Sequence, residues 1–189
     1  MLFMKKGFTL LELLIVIGIM AILATAATVV LNPAELLRQA RDSQRMSDLD
    51  AIKTAIALHL ATGNIPDVNF GFTGTRSQCM VATTTSPFTA TGNGCAGAGS
   101  PVALRTVAGA GWVNVNLIDV SGSVSPLGVL PTDPTNLPDY QYAYASNDTT
   151  NVFEINTRLE SAKYSSRMLN TNDGGSNDNW YETGTSLTL

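Results

Sequence analysis

The sequence predicts an α+β protein in which one long N-terminal helix packs on a small antiparallel sheet. Three observations carry this. Residues 8–31 are a 24-residue run with a single charge, Glu12. Beyond Asn32-Pro33, apolar residues recur at spacings of three and four. After residue 112, short segments alternate apolar with polar residues between turn-rich connections. The chain has 189 residues, enough for one domain with a modest core, and a net charge of −4. An acidic chain has no global attraction for nucleic acid, and no nucleic-acid partner is expected. One histidine, His59, and two cysteines, Cys79 and Cys95, are too few for His-rich or four-cysteine zinc sites.

Residues 1–7, MLFMKKG, place Lys5 and Lys6 ahead of the run FTLLELLIVIGIMAILATAATVVL. About 20 apolar residues suffice for a helix to cross a bilayer. Three readings fit. The segment is a secretory signal with an h-region over Leu13–Leu23 and a cleavage site at Ala24-Thr25-Ala26, or a permanent anchor, or a short leader cut between Gly7 and Phe8. Glu12 bears on the choice. A carboxylate inside a membrane-spanning run costs on the order of 2.5–3.5 kcal/mol, and no other residue of the run ionises. Cutting after Gly7 would create an amine on Phe8, four residues from Glu12 or beside the Glu12 of a neighbouring copy. Otherwise Glu12 snorkels to the membrane surface.

The stretch KKGFTLLELLIVIGIMAILA, Lys5 to Ala24, resembles the N-terminus of type IV prepilins and of type II secretion pseudopilins. It has the basic leader, the Gly7-Phe8 junction, Thr9, Glu12 and the unbroken aliphatic run. The resemblance implies a pilin-like fold, cleavage after Gly7 by a membrane prepilin peptidase, and methylation of the Phe8 amine by the same enzyme. It further implies assembly with Thr9 and Glu12 at the contact, Glu12 pairing with the Phe8 amine of an adjacent copy. Polymerisation would be driven by an ATPase and an assembly platform on other chains. It places the N-terminus inside, with one span in the cytoplasmic membrane before assembly and an extracellular or periplasmic filament afterwards. The positive-inside count does not favour that orientation. Two lysines precede the run, and Arg38, Arg41 and Arg45 follow it. These arginines are expected to contact the filament surface or lipid headgroups.

Pro33 should kink the helix. Over residues 34–61 the side chains of Met46, Leu49, Ile52, Ile56 and Leu60 form one stripe facing a core, with Asp42, Asp48, Asp50 and Lys53 largely off it. His59 should lie at the edge of the helix–sheet contact. Gly63-Asn64 and Pro66 stop the helix. The chain then divides into a leader (1–7), a membrane or filament-core helix (8–31), an amphipathic helix (32–62), a Gly/Thr/Ser-rich loop (63–111), and a sheet with a C-terminal loop (112–189).

Loop 63–111 is long enough to need pinning. A Cys79–Cys95 disulfide would close about 17 residues and contribute roughly 3 kcal/mol; the alternative is two free thiols. Strands are expected over Trp112–Val120, Tyr140–Ala145 and Val152–Leu159. The last two should form a hairpin through residues 146–150, and 125–139 should be an extended connection. Pro131-Thr132-Asp133-Pro134 followed by Tyr140-Gln141-Tyr142 resembles the major pseudopilin pattern, although Thr135-Asn136 stand where that pattern has Trp-Gly. In the tail NTNDGGSNDNW, Asp173, Asn177 and Asp178 could supply oxygens to Ca²⁺, a placement similar to that of some pseudopilins; the alternative is a solvated polar loop. No other cofactor is implied.

No catalytic set is visible. A Ser-His-Asp arrangement could recruit only His59, and neither a P-loop nor a dinucleotide fingerprint occurs. The reading is a non-enzymatic structural subunit of a type IV pilus-like filament. Its rivals are a pseudopilin that pushes exoproteins through a secretion channel, a single-span surface binding protein using loop 63–111, and a secreted enzyme cleaved after Ala26.

Overall fold

The computed structural model describes residues 7–62, 75–81, 104–119 and 125–189. It has a long N-terminal helical region and a small four-stranded antiparallel sheet, an α+β arrangement. Two compact units divide it, Met1–Arg38 and Gln39–Leu189.

In the first unit, α1 runs Leu10–Leu31 and is apolar all round. It ends at Asn32, whose left-handed backbone (φ 40°) closes the helix, a conformation asparagine tolerates better than most residues. Pro33 then opens α2, Pro33–Thr62. A proline at the first helical position loses nothing, since its missing N–H would have had no intrahelical partner. The Asn32 carbonyl accepts from Glu35 N (3.0 Å) and Leu36 N (3.3 Å) and starts the new ladder.

In the second unit the sheet is a meander, β1 (Thr75–Cys79), β2 (Tyr142–Asn147), β3 (Val152–Thr157) and β4 (Tyr181–Gly184), each antiparallel to the next. The β2–β3 connection is a turn in which Asn147 Oδ1 accepts from Thr149 N and Thr150 N, and Asn151 takes positive φ. Leu49, Ile52 and Ile56 of α2 are fully buried with Trp112, Tyr142, Tyr144, Phe153 and Ile155 in one core. Cross-strand register puts Tyr144, Ile155 and Thr183 on that face. The opposite face carries small residues, Ala143 and Ala145, which pack with Cys79 and Leu189 in a second cluster.

Several expectations are corrected. Of the strand expected over Trp112–Val120, the described residues 112–119 form none. Trp112, Val113, Asn114, Val115 and Leu117 are all buried, so the alternation does not separate an inner from an outer face. The backbone bonds to a neighbouring loop, Trp112 N to Leu104 O (3.0 Å) and Leu117 N to Val107 O (2.8 Å). A short 3₁₀ turn follows at Leu117–Asp119. Strand β1 lies within the segment read as loop, and β4 within the segment read as C-terminal loop. Tyr140 stands outside β2, bridged to Leu137. A 3₁₀ turn, Ser165–Met168, and a single helical turn α3, Asn170–Asp173, precede β4.

The apolar stripe of α2 also continues into charge. Asp42 and Arg45 are fully buried, on the face that carries Leu49 and Ile52. Arg45 donates through Nε and Nη2 to both oxygens of Asp133 (2.7 and 3.0 Å), and through Nη1 to Asp42 (2.8 Å) and Glu160 (2.8 Å). Asp42 also accepts from the backbone N–H groups of Glu160 and Ser161. Arg41 forks onto the two oxygens of Glu160 (2.6 and 2.8 Å). Two of the three arginines read as surface contacts are thus committed internally, and the physical reason is the three carboxylates converging on them. Arg38 remains exposed beside Glu35 at 3.7 Å. Asp42 likewise belongs to the buried face rather than off it. His59 is buried (4 % exposed), not at an edge, and neither ring nitrogen has a hydrogen-bond partner among the described residues.

The Arg41 hydrogen bonds hold Glu160 down, to about 2, and the Arg45 fork holds Asp133 below the usual carboxylate range against its burial. A depressed carboxylate stabilises the fold above its unfolded value and loses that contribution as pH falls through its folded value. Denaturant unfolding of the full chain in detergent, followed by the fluorescence of buried Trp112 and Trp180, should show stability falling from about pH 5 to about pH 2. Arg45→Met should cost about 3–5 kcal/mol at neutral pH, because it strands buried carboxylates, and should flatten the acid slope. An acid slope unchanged in that variant would show that these pairs do not set it.

Candidate processing and assembly site

The site begins where the chain enters α1. Gly7 and Phe8 precede the helix, nothing among the described residues lies within 4 Å of the position a Gly7 side chain would take, and Phe8 is 80 % exposed. Thr9 is the N-cap, with extended backbone, and its Oγ1 accepts from Glu12 N at 3.2 Å. Thr9 and Glu12 therefore stand in the Thr-x-x-Glu spacing of a capping box. The threonine satisfies one of the N–H groups that a helix start leaves open, and a carboxylate in the first turn suits the positive end of the helix dipole. Thr9 was legible as part of a motif; its capping role required the backbone.

The Glu12 carboxylate makes no hydrogen bond or ion pair among the described residues. No residue of α1 is buried, and Leu10, Leu11, Val29 and Val30 are among its exposed apolar side chains. This helix is long and apolar enough to cross a membrane by length and composition. An apolar surface of this extent, with one unpartnered carboxylate near its start, is a surface for lipid or for other apolar helices rather than for water. Lys5 and Lys6 lie outside the described residues.

The other residues singled out in the sequence lie in the second unit. Cys79 is buried at the end of β1, while Cys95 lies outside the described residues. Asp173 ends α3 and accepts from Gly175 N (2.9 Å) and Glu182 N (3.2 Å). Asn177 Oδ1 accepts from Asn179 N (3.2 Å), and Asp178 is exposed. The three share a loop that closes onto β4, with their oxygens largely turned to backbone N–H groups. No group of three Asp, Glu, His or Cys side chains that could hold a metal occurs among the described residues.

Sequence reasoning missed the buried charges that bind α2 to the loops around it. Their signal was present. Asp42, Arg45, Leu49, Ile52 and Ile56 follow one another at helical spacings of three and four, so the stripe could have been extended through them. Asp133 lies in the Pro131-Thr132-Asp133-Pro134 segment. It accepts from Thr135 N (2.8 Å) and Asn136 N (3.1 Å) and so holds that turn against Arg45.

Comparison with known proteins gives one family match. Residues 2–28 match the model described as the prokaryotic N-terminal methylation motif. No curated protein and no solved structure matches the chain. The matched residues hold the Gly7-Phe8 junction, the Thr9 cap, Glu12 and most of α1: the chain carries the N-terminal methylation motif that is the signal of type IV pilins and pseudopilins.

Proposed function

We propose that this protein is a structural subunit of a type IV pilus-like filament, cleaved after Gly7, N-methylated at Phe8 and polymerised through α1. The observation that carries the reading is the pairing of the methylation motif with a helix that buries none of its own residues and leaves the Glu12 carboxylate unpartnered. A free amine on Phe8 of an adjacent copy supplies the cation that Glu12 needs where water is scarce. Before assembly the chain is held by α1 in the cytoplasmic membrane with its N-terminus inside. After assembly the apolar helices line the filament interior, and the second unit faces the periplasm or the exterior. Prepilin peptidase, an assembly platform with its ATPase, and further copies of the chain are the partners. The protein performs no catalysis of its own.

Mass spectrometry of the mature N-terminus, on material sheared from cells and on membranes, checks this. Methylated Phe8 in an abundant sheared protein is the expected outcome, and methylated Phe8 confined to membranes moves the reading to a pseudopilin. An uncut Met1, or a start at Ala27, defeats it in favour of an anchored or secreted protein. Glu12→Ala should abolish filaments while leaving the chain in the membrane; unchanged assembly would remove Glu12 from the contact.

We further propose that Cys79 and Cys95 form a disulfide outside the cytoplasm. Cys79 sits buried against Ala143 and Ala145, a place where a bridge to Cys95 would tie the chain that follows β1 to the sheet. Thiol titration of the denatured, unreduced chain should find no reactive thiol, and two after reduction; two before reduction would refute the bridge.

Asp173, Asn177 and Asp178 are proposed to hold Ca²⁺, since the donor set is all oxygen and each Asp173 carboxylate oxygen, with one N–H donor, keeps a further lone pair. Calcium should raise the unfolding temperature of the chelated chain, and Asp178→Ala should remove that increase. An increase of equal size in the variant would exclude Asp178 as a ligand.

A further inference from the structure

The second unit holds a cavity that the assembly reading does not use, where α2, the 3₁₀ turn, α3 and the edge strand β4 meet. Lys53 of α2, Arg167 of the 3₁₀ turn, Asn172 and Asp173 of α3, and Tyr181 and Thr183 of β4 line about 270 Å³. Ligand clefts start at about 300 Å³, so a cavity of this size suits a small molecule no larger than a monosaccharide. Its wall is polar: Leu187 is the one aliphatic side chain lining it among the described residues. Thr183 is buried, Lys53 and Tyr181 are half-buried, and Arg167 and Asn172 are exposed at the rim.

Basic side chains gather here without carboxylate partners. Arg41 and Arg45 are taken up by Asp42, Asp133 and Glu160, but none of the ion pairs among the described residues includes Lys53, Lys163 or Arg167. Lys53 Nζ donates to Thr183 Oγ1 (3.1 Å), and an ammonium has further protons to donate. Arg167 Nη1 points to Met46 Sδ (3.5 Å), a weak acceptor. The Arg167 guanidinium carbon lies 5.5 Å from the centre of the Tyr164 ring, and Lys163 Nζ lies 4.7 Å from the same centre. That ring steadies the guanidinium without using its N–H groups.

The wall also holds carboxylates, and these are turned to the backbone of their own loop. Asp173 accepts from Gly175 N (2.9 Å) and Glu182 N (3.2 Å), and Glu182 Oε2 accepts from Asn177 N (3.0 Å). Asp50 of α2 lies near Tyr181. Each Asp173 oxygen keeps a lone pair that a hydroxyl can meet. Asn172 Nδ2 donates to Ser166 O, which ties α3 to the 3₁₀ turn and fixes the rim in place.

A wall of this kind selects by charge count. Lys53 and Arg167 attract one carboxylate, whereas Asp173 and Glu182 oppose a second negative charge. A doubly charged phosphate meets that repulsion, and a neutral polyol leaves the cations without an anion. We propose that this cavity binds a hydroxylated monocarboxylate of monosaccharide size, such as a uronic acid. Lys53 and Arg167 take its carboxylate, Asp173, Asn172 and the Thr183 hydroxyl meet its hydroxyl groups, and Tyr181 and Leu187 cover its C–H face. The site rests on neither the assembly reading nor the calcium reading, since side-chain cations meet the carboxylate.

A ¹H–¹⁵N NMR titration of the full chain in detergent, with a chelator present, tests this. Glucuronate is the probe, and glucose, acetate and phosphate are the comparisons. Glucuronate should shift the amides of Asn172 and Tyr181–Gly184 saturably, and each comparison should bind about tenfold more weakly or worse. Arg167→Gln should weaken glucuronate about tenfold. Lys163→Gln, beside the same tyrosine but outside the cavity wall, should change it by less than about twofold. No saturable shift at those amides overturns the proposal. So does equal binding of glucose, acetate or phosphate, or an Arg167→Gln effect no larger than that of Lys163→Gln, which would mark a general positive field and no seated carboxylate. Should Arg167→Gln fail to fold, the ranking of the four probes on the native chain decides.

Discussion

A single buried guanidinium organises the second unit. Arg45 takes three carboxylates from three parts of the chain: Asp42 on its own helix, Asp133 in the 131–136 turn, and Glu160 after β3. Burial by itself would favour loss of the proton from an arginine, yet the surrounding carboxylates raise its affinity for that proton. The planar fork explains why arginine rather than lysine stands here. Nε and Nη2 meet both oxygens of Asp133, while Nη1 serves the other two carboxylates. Such a cluster adds little net stability compared with an apolar core of the same volume. Its consequence is geometric. The sheet and the loops that flank it can meet α2 in one register, because any other would leave charge buried without a partner.

The sheet is then closed on both faces by unlike means. Toward α2 it presents large side chains, with Tyr144 and Phe153 stacked (centroids 6.4 Å apart) and Trp112 against Tyr142 (5.7 Å). The Tyr142 hydroxyl donates to Asp48 Oδ2 at 2.7 Å, so the polar end of a buried aromatic is satisfied by the helix it packs on. Away from α2 the sheet presents Ala143 and Ala145 together with Glu154 and Glu182, and Leu189 of the C-terminal segment packs there. Small side chains let that segment approach closely. Glu154 and Glu182 tolerate burial there through hydrogen bonds from backbone and amide groups.

The first unit follows a different rule. α1 gains nothing from packing on itself, and all its residues are exposed. Its backbone hydrogen bonds are internal, which is what a lipid environment demands. Its start is capped by Thr9 and its end is closed by the left-handed Asn32, so both termini are settled by local chemistry.

How much of this was legible in the sequence depends on the range of the interaction involved. The apolar run, the lone Glu12, the Gly7-Phe8 junction, the interruption beside Pro33 and the Leu49–Ile52–Ile56 stripe are local patterns, and local patterns survive in a single sequence. The β2–β3 hairpin was legible because polar turn residues sit between two alternating runs. Tertiary structure alone decided what needs partners distant in sequence. Arg45 is separated from Asp133 by 88 positions and from Glu160 by 115, and such partners leave no periodicity by which to find them. Strands β1 and β4 are polar and short, and became strands through the neighbours they pair with. Trp112–Leu117 alternates like a strand, but its polar Asn114 is buried along with Trp112, Val113, Val115 and Leu117, so its pattern carried little information about faces. The residues by themselves determined a membrane-length helix with a processing signal and an α+β head. Only the fold decided which charges lie inside it, because burial belongs to the whole chain and to no segment of it.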